Sequence, residues 1–403
     1  MKKIIFSFAF LGMIISSNAQ CNSIKAGMKA LTKDKIVEAK SLFEKVGDEI
    51  MNAETNKETI PPKCYAKYYY GTGATIFQEY LTQPDLDLVT KISLLNKAES
   101  FFDKFFKLNF EDKSFKAKAI TDLEAVANSQ KEVAYDYFQN GDYETAFRLF
   151  EKCLINKTKI GQKQPDLHAY ESAVITASRL GEFDKALNYN EVLINNPSLK
   201  IGTESNKQDK NLIRKAELLG SLGRTEEALK VLDSAKVIFP NNADVELQQL
   251  RILLDVKDND KAINVLESLT LKVSNRVDLF LIMGQIYSEK RQADKSYEAY
   301  KKALSIDSES INALYGMGAY YVNKSNGYVQ ELNNLTLSQD NKKARQEIID
   351  EMNKNFDKAI HYFDLVLKID PDDQSTLIAL KKIYEMKEDQ VNVEKINEKI
   401  IAE

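Results

Sequence analysis

A step of 34 residues constrains this chain more than any other feature. Ala216, Leu250, Gly284 and Gly318 are each 34 apart, and so are Leu219, Leu253, Tyr287 and Tyr321. Ala228, Ala262 and Ser296 keep the same step, as do Leu232, Leu266 and Tyr300. Within one period, residues 277–310, the apolar and small residues form two groups: Phe280, Met283, Gly284 and Tyr287, then Ser296, Tyr300 and Ala303. Both groups have helical spacing, and the polar stretch 289–295 between them is a turn. One period is therefore one pair of amphipathic helices. Neither helix can bury its apolar face alone, so each pair has to stack on copies of itself.

Composition agrees. The chain has 403 residues with only 15 Gly and 7 Pro, and 29% are charged, which suits helices joined by short turns. The spacing resembles the tetratricopeptide repeat. That resemblance implies an all-α fold, a right-handed superhelical solenoid of antiparallel helix pairs, here about eight repeats plus a C-terminal cap.

Residues 1–19 have the pattern of a signal peptide. Lys2 and Lys3 precede an apolar run at 4–15, and small residues at Ser17 and Ala19 suit cleavage before Gln20. Twelve residues are too few to span ~30 Å of hydrocarbon as a helix. A lipid anchor on Cys21 is disfavoured by Gln20, which occupies a position that has to be small. The expectation is an exported, soluble mature chain in the periplasm or cell envelope of a Gram-negative bacterium. Export implies an oxidising compartment. Of the three cysteines, Cys153 falls at a packed small position and is expected as a buried thiol. Cys21 and Cys64 begin the first helices of adjacent repeats. Such helices lie ~8–10 Å apart, so their pairing requires the first helix to fray and stays open.

Along the chain, residues 20–112 form divergent repeats. Gly27 and Gly71 take the small position of the first helices; Ala39, Phe43 and Val46, then Ala98, Phe102 and Phe105, take the packed positions of the second. Residues 111–118 read as a polar linker. Residues 113–310 hold the regular repeats, with extra residues near 160–165 and 198–208, between repeats, where loops lengthen at little cost. Residues 311–373 break the register. After Gly318 and Tyr321 the next match, Ala359, Phe363 and Val366, comes 29 residues late. The intervening residues keep a helical period, which predicts a lengthened hairpin turning near 338–341. Its return helix, Lys342–Ile369, would be ~42 Å long at 1.5 Å per residue. Residues 374–403 form capping helices with a polar outer face.

Little in the sequence suggests catalysis. His168 and His361 stand in different repeats without a neighbouring nucleophile, and no HxxxH or CxxC pair is present. The acidic stretches 255–260 and 370–373 lack the glycine and terminal glutamate of a calcium loop. The GTG at 71–73 lacks the spacing and lysine of a phosphate loop. With 56 basic and 60 acidic residues interspersed, nucleic acid is not an expected partner. No enzyme activity and no cofactor is expected.

A binding surface remains. The resemblance implies that the first helix of each pair lines a concave groove. It selects Tyr65, Tyr68 and Thr72; Lys131, Tyr135 and Phe138; His168 and Glu171; then Glu217, Arg251, Gln285 and Tyr315. The lysine–asparagine clamp of chaperone-binding relatives is not assembled, since Lys131 is followed by Tyr135. The expected function is a protein-interaction scaffold or assembly factor that holds a protein or peptide in the groove. Two alternatives are homo-oligomerisation through residues 322–358, using Ile348, Ile349 and Met352, and glycan or cell-wall binding with Tyr65 and Tyr68 as stacking platforms.

Overall fold

Carboxylates fix where many of the helices begin. The structure, a computed structural model, describes residues 21–55, 61–108, 110–196, 208–335 and 342–401. Asp87, Asp112, Asp142, Asp166, Asp258 and Asp373 each accept a backbone N–H from the first turn of the helix that follows. Those donors have no partner within the helix, so each cap stabilises its start by about 1 kcal/mol. Gly141, Gly181 and Gly223 close first helices with φ of +82°, +76° and +73°. Lys257 and Arg291, one and two periods after Gly223, hold the same turn with φ of +57° and +56°.

The fold is all-α, built from antiparallel helix pairs of the solenoid class, and the described residues contain no strand. The chain divides into two units. The first, residues 1–224, contains α1 (residues 21–31), α2 (Ile36–Thr55), α3 (Pro62–Leu81), α4 (Leu88–Lys107), α5 (Lys113–Gln139), α6 (Tyr143–Lys159), α7 (Leu167–Arg179), α8 (Phe183–Ile194) and α9 (Gln208–Ser221). The second, residues 225–403, contains α10 (Thr225–Ile238), α11 (Ala243–Asp255), α12 (Asn259–Lys272), α13 (Val277–Glu289), α14 (Ala293–Ile306), α15 (Ile311–Asn334), α16 (Lys342–Ile369), α17 (Gln374–Met386) and α18 (Gln390–Ile401). The expected signal peptide at residues 1–19 and the expected hairpin turn at 338–341 lie outside the described residues.

Within each unit the packed positions are those the period selects. Ala39, Ala98 and Ala146 in the first unit, and Ala228, Ala262 and Ala359 in the second, are wholly buried. The large side chains one turn later, Phe43, Phe102 and Phe150, then Leu232, Leu266 and Phe363, are buried with them. Burial of each such side chain is worth about 1.5–3 kcal/mol.

Glycines sit where these rings press. A Cβ on Gly284 or on Gly316 would lie 2.6 Å from carbons of the Tyr300 ring, so that ring is wedged between α13 and α15. The Phe43 ring lies in the same way between Gly27 of α1 and Gly71 of α3. On α15, a Cβ at Gly318 would stand 2.5 Å from Phe363 Cε1, whereas one at Gly327 would meet nothing within 4 Å. Gly318→Ala should therefore destabilise the second unit by about 2–3 kcal/mol through overpacking. Gly327→Ala, in the same helix, should stabilise it by about 0.5–1 kcal/mol. Urea midpoints of the two variants check both signs.

Three sequence expectations are revised. Residues 113–118 are not a linker: Asp112 accepts from Ser114 and Phe115 N–H and starts α5 there. Cys21 and Cys64 are joined in a disulfide with Cα atoms 5.6 Å apart. Both stand in the first turns of their helices, α1 and α3, and those ends converge well inside the usual axial spacing while α1 stays helical from residue 21. Finally, the lengthened hairpin packs on itself. Met352 is buried, Ile348 and Ile349 are half-buried, and Tyr328, Val329 and Leu332 of the outgoing arm pack into the same core. Ser325 Oγ donates to the Met352 carbonyl, and Arg345 donates to the carbonyls of Leu332 and Leu335 at the end of α15. Met352 is thus engaged within the chain rather than exposed, while Ile348 and Ile349 stay half-buried.

Candidate partner-binding surface

In the first unit, the face of the first helices is partly consumed by the stack. Tyr65 of α3 is half-buried, its ring stacked on Tyr69 at 6.1 Å. Tyr68 is only 3% exposed, which removes it from any surface. Its ring lies between Phe43 of α2 and Phe101 of α4, at 6.4 and 6.1 Å. Second helices on both sides cover α3 here, so a position that spacing assigns to the groove becomes core. Thr72 is half-buried, and its hydroxyl has no hydrogen-bond partner among the described residues.

On α5, Lys131, Tyr135 and Phe138 reach toward the neighbouring first helix, α7. Lys131 Nζ donates to Asp166 Oδ2 at 2.7 Å, and Lys157 Nζ of α6 donates to the same oxygen at 2.5 Å. Asp166 also caps α7 through Ala169 N–H. Burial alone would raise the Asp166 pKa, but the donors Lys131, Lys157 and Ala169 outweigh it and hold the carboxyl well below the usual range. Ser172 Oγ donates to the Tyr135 hydroxyl at 3.1 Å. Phe138 packs edge-on to Tyr143, with the Arg179 guanidinium 5.7 Å above its ring. These three side chains tie α5, α6 and α7 together. Beyond them, Glu171 is half-buried, while His168 and Glu217 are exposed. Near this knot Cys153 is wholly buried, and burial pushes its thiol up to about 11, so it is protonated and shielded.

The second unit presents a more open face. Arg251 of α11 and Gln285 of α13 are exposed, Gln285 donating to Glu289 Oε1 at 3.1 Å. Tyr315 of α15 is half-buried against Phe363, ring centroids 5.4 Å apart. At the register position of Tyr315 the two preceding first helices carry Leu247 and Leu281, both half-buried. Two helical turns later, Leu254 and Val322 are half-buried as well. These four aliphatic residues were not singled out from the sequence, although the same 34-residue step selects them. Beneath this face the carboxylate of Glu246, wholly buried on α11, is held by Lys236 at 2.5 Å, Lys272 at 3.2 Å and Ser268 at 2.9 Å. Burial raises its pKa, but those three donors outweigh that and leave it depressed. The ion set pins α10, α11 and α12 and leaves Arg251 free to face outward.

The described residues contain no group of three or more His, Cys, Asp or Glu able to hold a metal, and no described helix is long and apolar enough to cross a membrane. A half-exposed aliphatic stripe with exposed Arg251 and Gln285 can bind a chain by contact and hydrogen bonding.

Residues 277–310 match the family model of the tetratricopeptide repeat. No curated protein matches the chain. Among solved structures, the chain is similar to MamA 41-end from Desulfovibrio magneticus RS-1, with 19% identity and a TM-score of 0.37 over 52% of this chain and 97% of that one. It is similar to YrrB, described as a TPR protein with an unusual peptide-binding site, with 21% identity and a TM-score of 0.35 over 49% and 95%. It is also similar to a monomeric mutant of IFIT1 with Gppp-AAAA, with 14% identity and a TM-score of 0.34 over 81% and 73%.

Proposed function

This chain is a tetratricopeptide-repeat protein, and from that premise we propose that it is a non-catalytic scaffold of the cell envelope that holds an extended segment of a partner protein. Proteins built from this repeat generally mediate protein–protein interaction. The observation that carries the reading is the face of α11, α13 and α15. There Leu247, Leu281 and Tyr315 recur at one register position, half-buried, beside exposed Arg251 and Gln285. Apolar anchors at a regular step, flanked by an arginine and an amide, suit a segment lying along successive helices. The first unit contributes less, because Tyr68 is core and Lys131, Tyr135 and Phe138 are engaged between helices. An envelope location is supported by the disulfide Cys21–Cys64 together with the leader-like residues 1–19.

The test places a photo-crosslinking amino acid at Gln285 in intact cells and collects the captured proteins from the periplasmic fraction. A discrete partner is expected, with capture reduced at least about tenfold by Arg251→Glu, the effect of losing one strong contact. A captured set unchanged by Arg251→Glu, or capture only in the cytoplasmic fraction, overturns the proposal.

A further inference from the structure

The second unit carries a row of tyrosines, one of which, Tyr321, stands in the packing register. Tyr297 of α14, Tyr320 and Tyr321 of α15 and Tyr362 of α16 are all half-exposed. Their rings form a connected row. Tyr297 lies 4.8 Å from Tyr320, Tyr320 lies 5.1 Å from Tyr321, and Tyr321 lies 5.9 Å from Tyr362 with the two planes within 12°. A cavity flanks the row on each side. One, of about 640 Å³, is lined by Tyr321 and Tyr362 with Asp350, Asn353, Lys354, Asp357, Lys358 and His361. The other, of about 360 Å³, is lined by Tyr320 with Ser288, Arg291 and Asn323. Neither is lined by an aliphatic side chain larger than alanine. Asn353 is half-buried, and its amide makes no side-chain hydrogen bond among the described residues.

We propose that this surface binds a neutral oligosaccharide. A sugar ring offers two chemically distinct parts: an apolar C–H face and a rim of hydroxyls that both donate and accept. Aromatic faces suit the first, being large, rigid and amphipathic. Planar amides and carboxylates suit the second, and Asn353 and Asp350 stand in the groove to supply them. The Tyr362 hydroxyl adds a donor, since a phenol stays protonated at neutral pH. A peptide would want aliphatic pockets for its side chains, as on the α11–α13–α15 face, and these cavities have none. A single-stranded nucleic acid would use the same stacking but needs positive potential along its phosphates. Here Lys354 and Lys358 in the larger cavity are balanced by Asp350 and Asp357, and Lys354 is paired with Glu351, so the lining carries no net positive charge. Cavities on both sides of the row fit a ligand of several sugar units. This site is separate in its residues from the peptide-binding face proposed above and does not depend on it.

Affinity electrophoresis of the purified full chain through gels containing starch, xylan or mixed-linkage β-glucan, with co-sedimentation on peptidoglycan sacculi, tests the assignment. Retardation by at least one of these glycans is expected. Tyr362→Ala and Asn353→Ala should each weaken it at least about tenfold with helix content unchanged, while Val37→Ala, at an exposed position of α2, leaves it intact. Should Tyr362→Ala fail to fold, Asp350→Ala, a change at an exposed position, reads the same contact. Absence of retardation by every glycan overturns the proposal, as does retardation insensitive to Asn353→Ala and Asp350→Ala, or preferential binding of oligo-dT.

Discussion

Replacing Asp166 by alanine is expected to destabilise the α5–α7 region by about 3–5 kcal/mol. The reason lies in what the change leaves behind. Lys157 is only 6% exposed, and Asp166 is the carboxylate its ammonium reaches. Lys131, itself largely covered, loses the same partner, and α7 loses its N-terminal cap. A buried cation without an anion carries the full cost of its desolvation, far more than the pair was worth. Hydrogen exchange should show it most directly, with amides of α7 exchanging roughly 10²–10³-fold faster than in the parent. Asp166→Asn keeps an acceptor for Ala169 N–H and should recover part of the loss. The sign with pH follows from the depressed carboxyl. The stabilisation is present in full above the ordinary value of 3.8 and is lost as pH falls through the lower folded value. The parent should therefore lose α7 protection in acid below about pH 4, while Asp166→Asn has that contribution missing at every pH. Equal protection of α7 in parent and Asp166→Ala would show that Lys157 finds water or another acceptor.

Breaking the disulfide is the second large perturbation. The bond joins residues 43 apart in sequence, and the chain-entropy model gives about 4 kcal/mol for closing such a loop in the unfolded chain. Cys64→Ser should lower the thermal midpoint of the first unit by roughly 10 °C. A reductant should do the same to the parent and nothing further to the variant. Thiol titration under denaturing conditions should count one thiol per chain without reductant, Cys153, and three with it. Three thiols before reduction would remove the bond and, with it, one of the two supports for an envelope location.

The register made the stack legible because each apolar position answers to a neighbour one period away. It even gave both ends of α16, since Ala344, Ile348, Met352, Phe356, Ala359, Phe363 and Val366 keep one helical stripe without a break. Where the stripe is absent the reading failed. Half of residues 113–118 are lysines and Phe115 is the one large apolar side chain, so only the Asp112 cap reveals that α5 has begun. The binding face was harder, because spacing assigns a residue to a helix face but not to solvent. Tyr68 and Tyr65 stand three apart on α3, yet the flanking Phe43 and Phe101 bury one and leave the other half-open. The tyrosine row was invisible for another reason. Tyr321 and Tyr362 meet only because the lengthened hairpin folds back on itself, and no 34-residue step connects them. The disulfide was undecided because axial spacing describes the middles of helices, and the cysteines stand at their ends.

The Tyr300 wedge sets the repeat in a different phase from the one the sequence displays. By sequence the module runs from a first helix to its own second helix. By contact, Tyr300 of α14 grips Gly284 of α13 and Gly316 of α15 together, as Phe43 of α2 grips Gly27 and Gly71. A fragment cut at residue 310, where the sequence module ends, would bare one face of that ring. Shortening this protein by whole sequence modules therefore cuts through its clamps, and a truncation that keeps each clamp shut must end after a first helix.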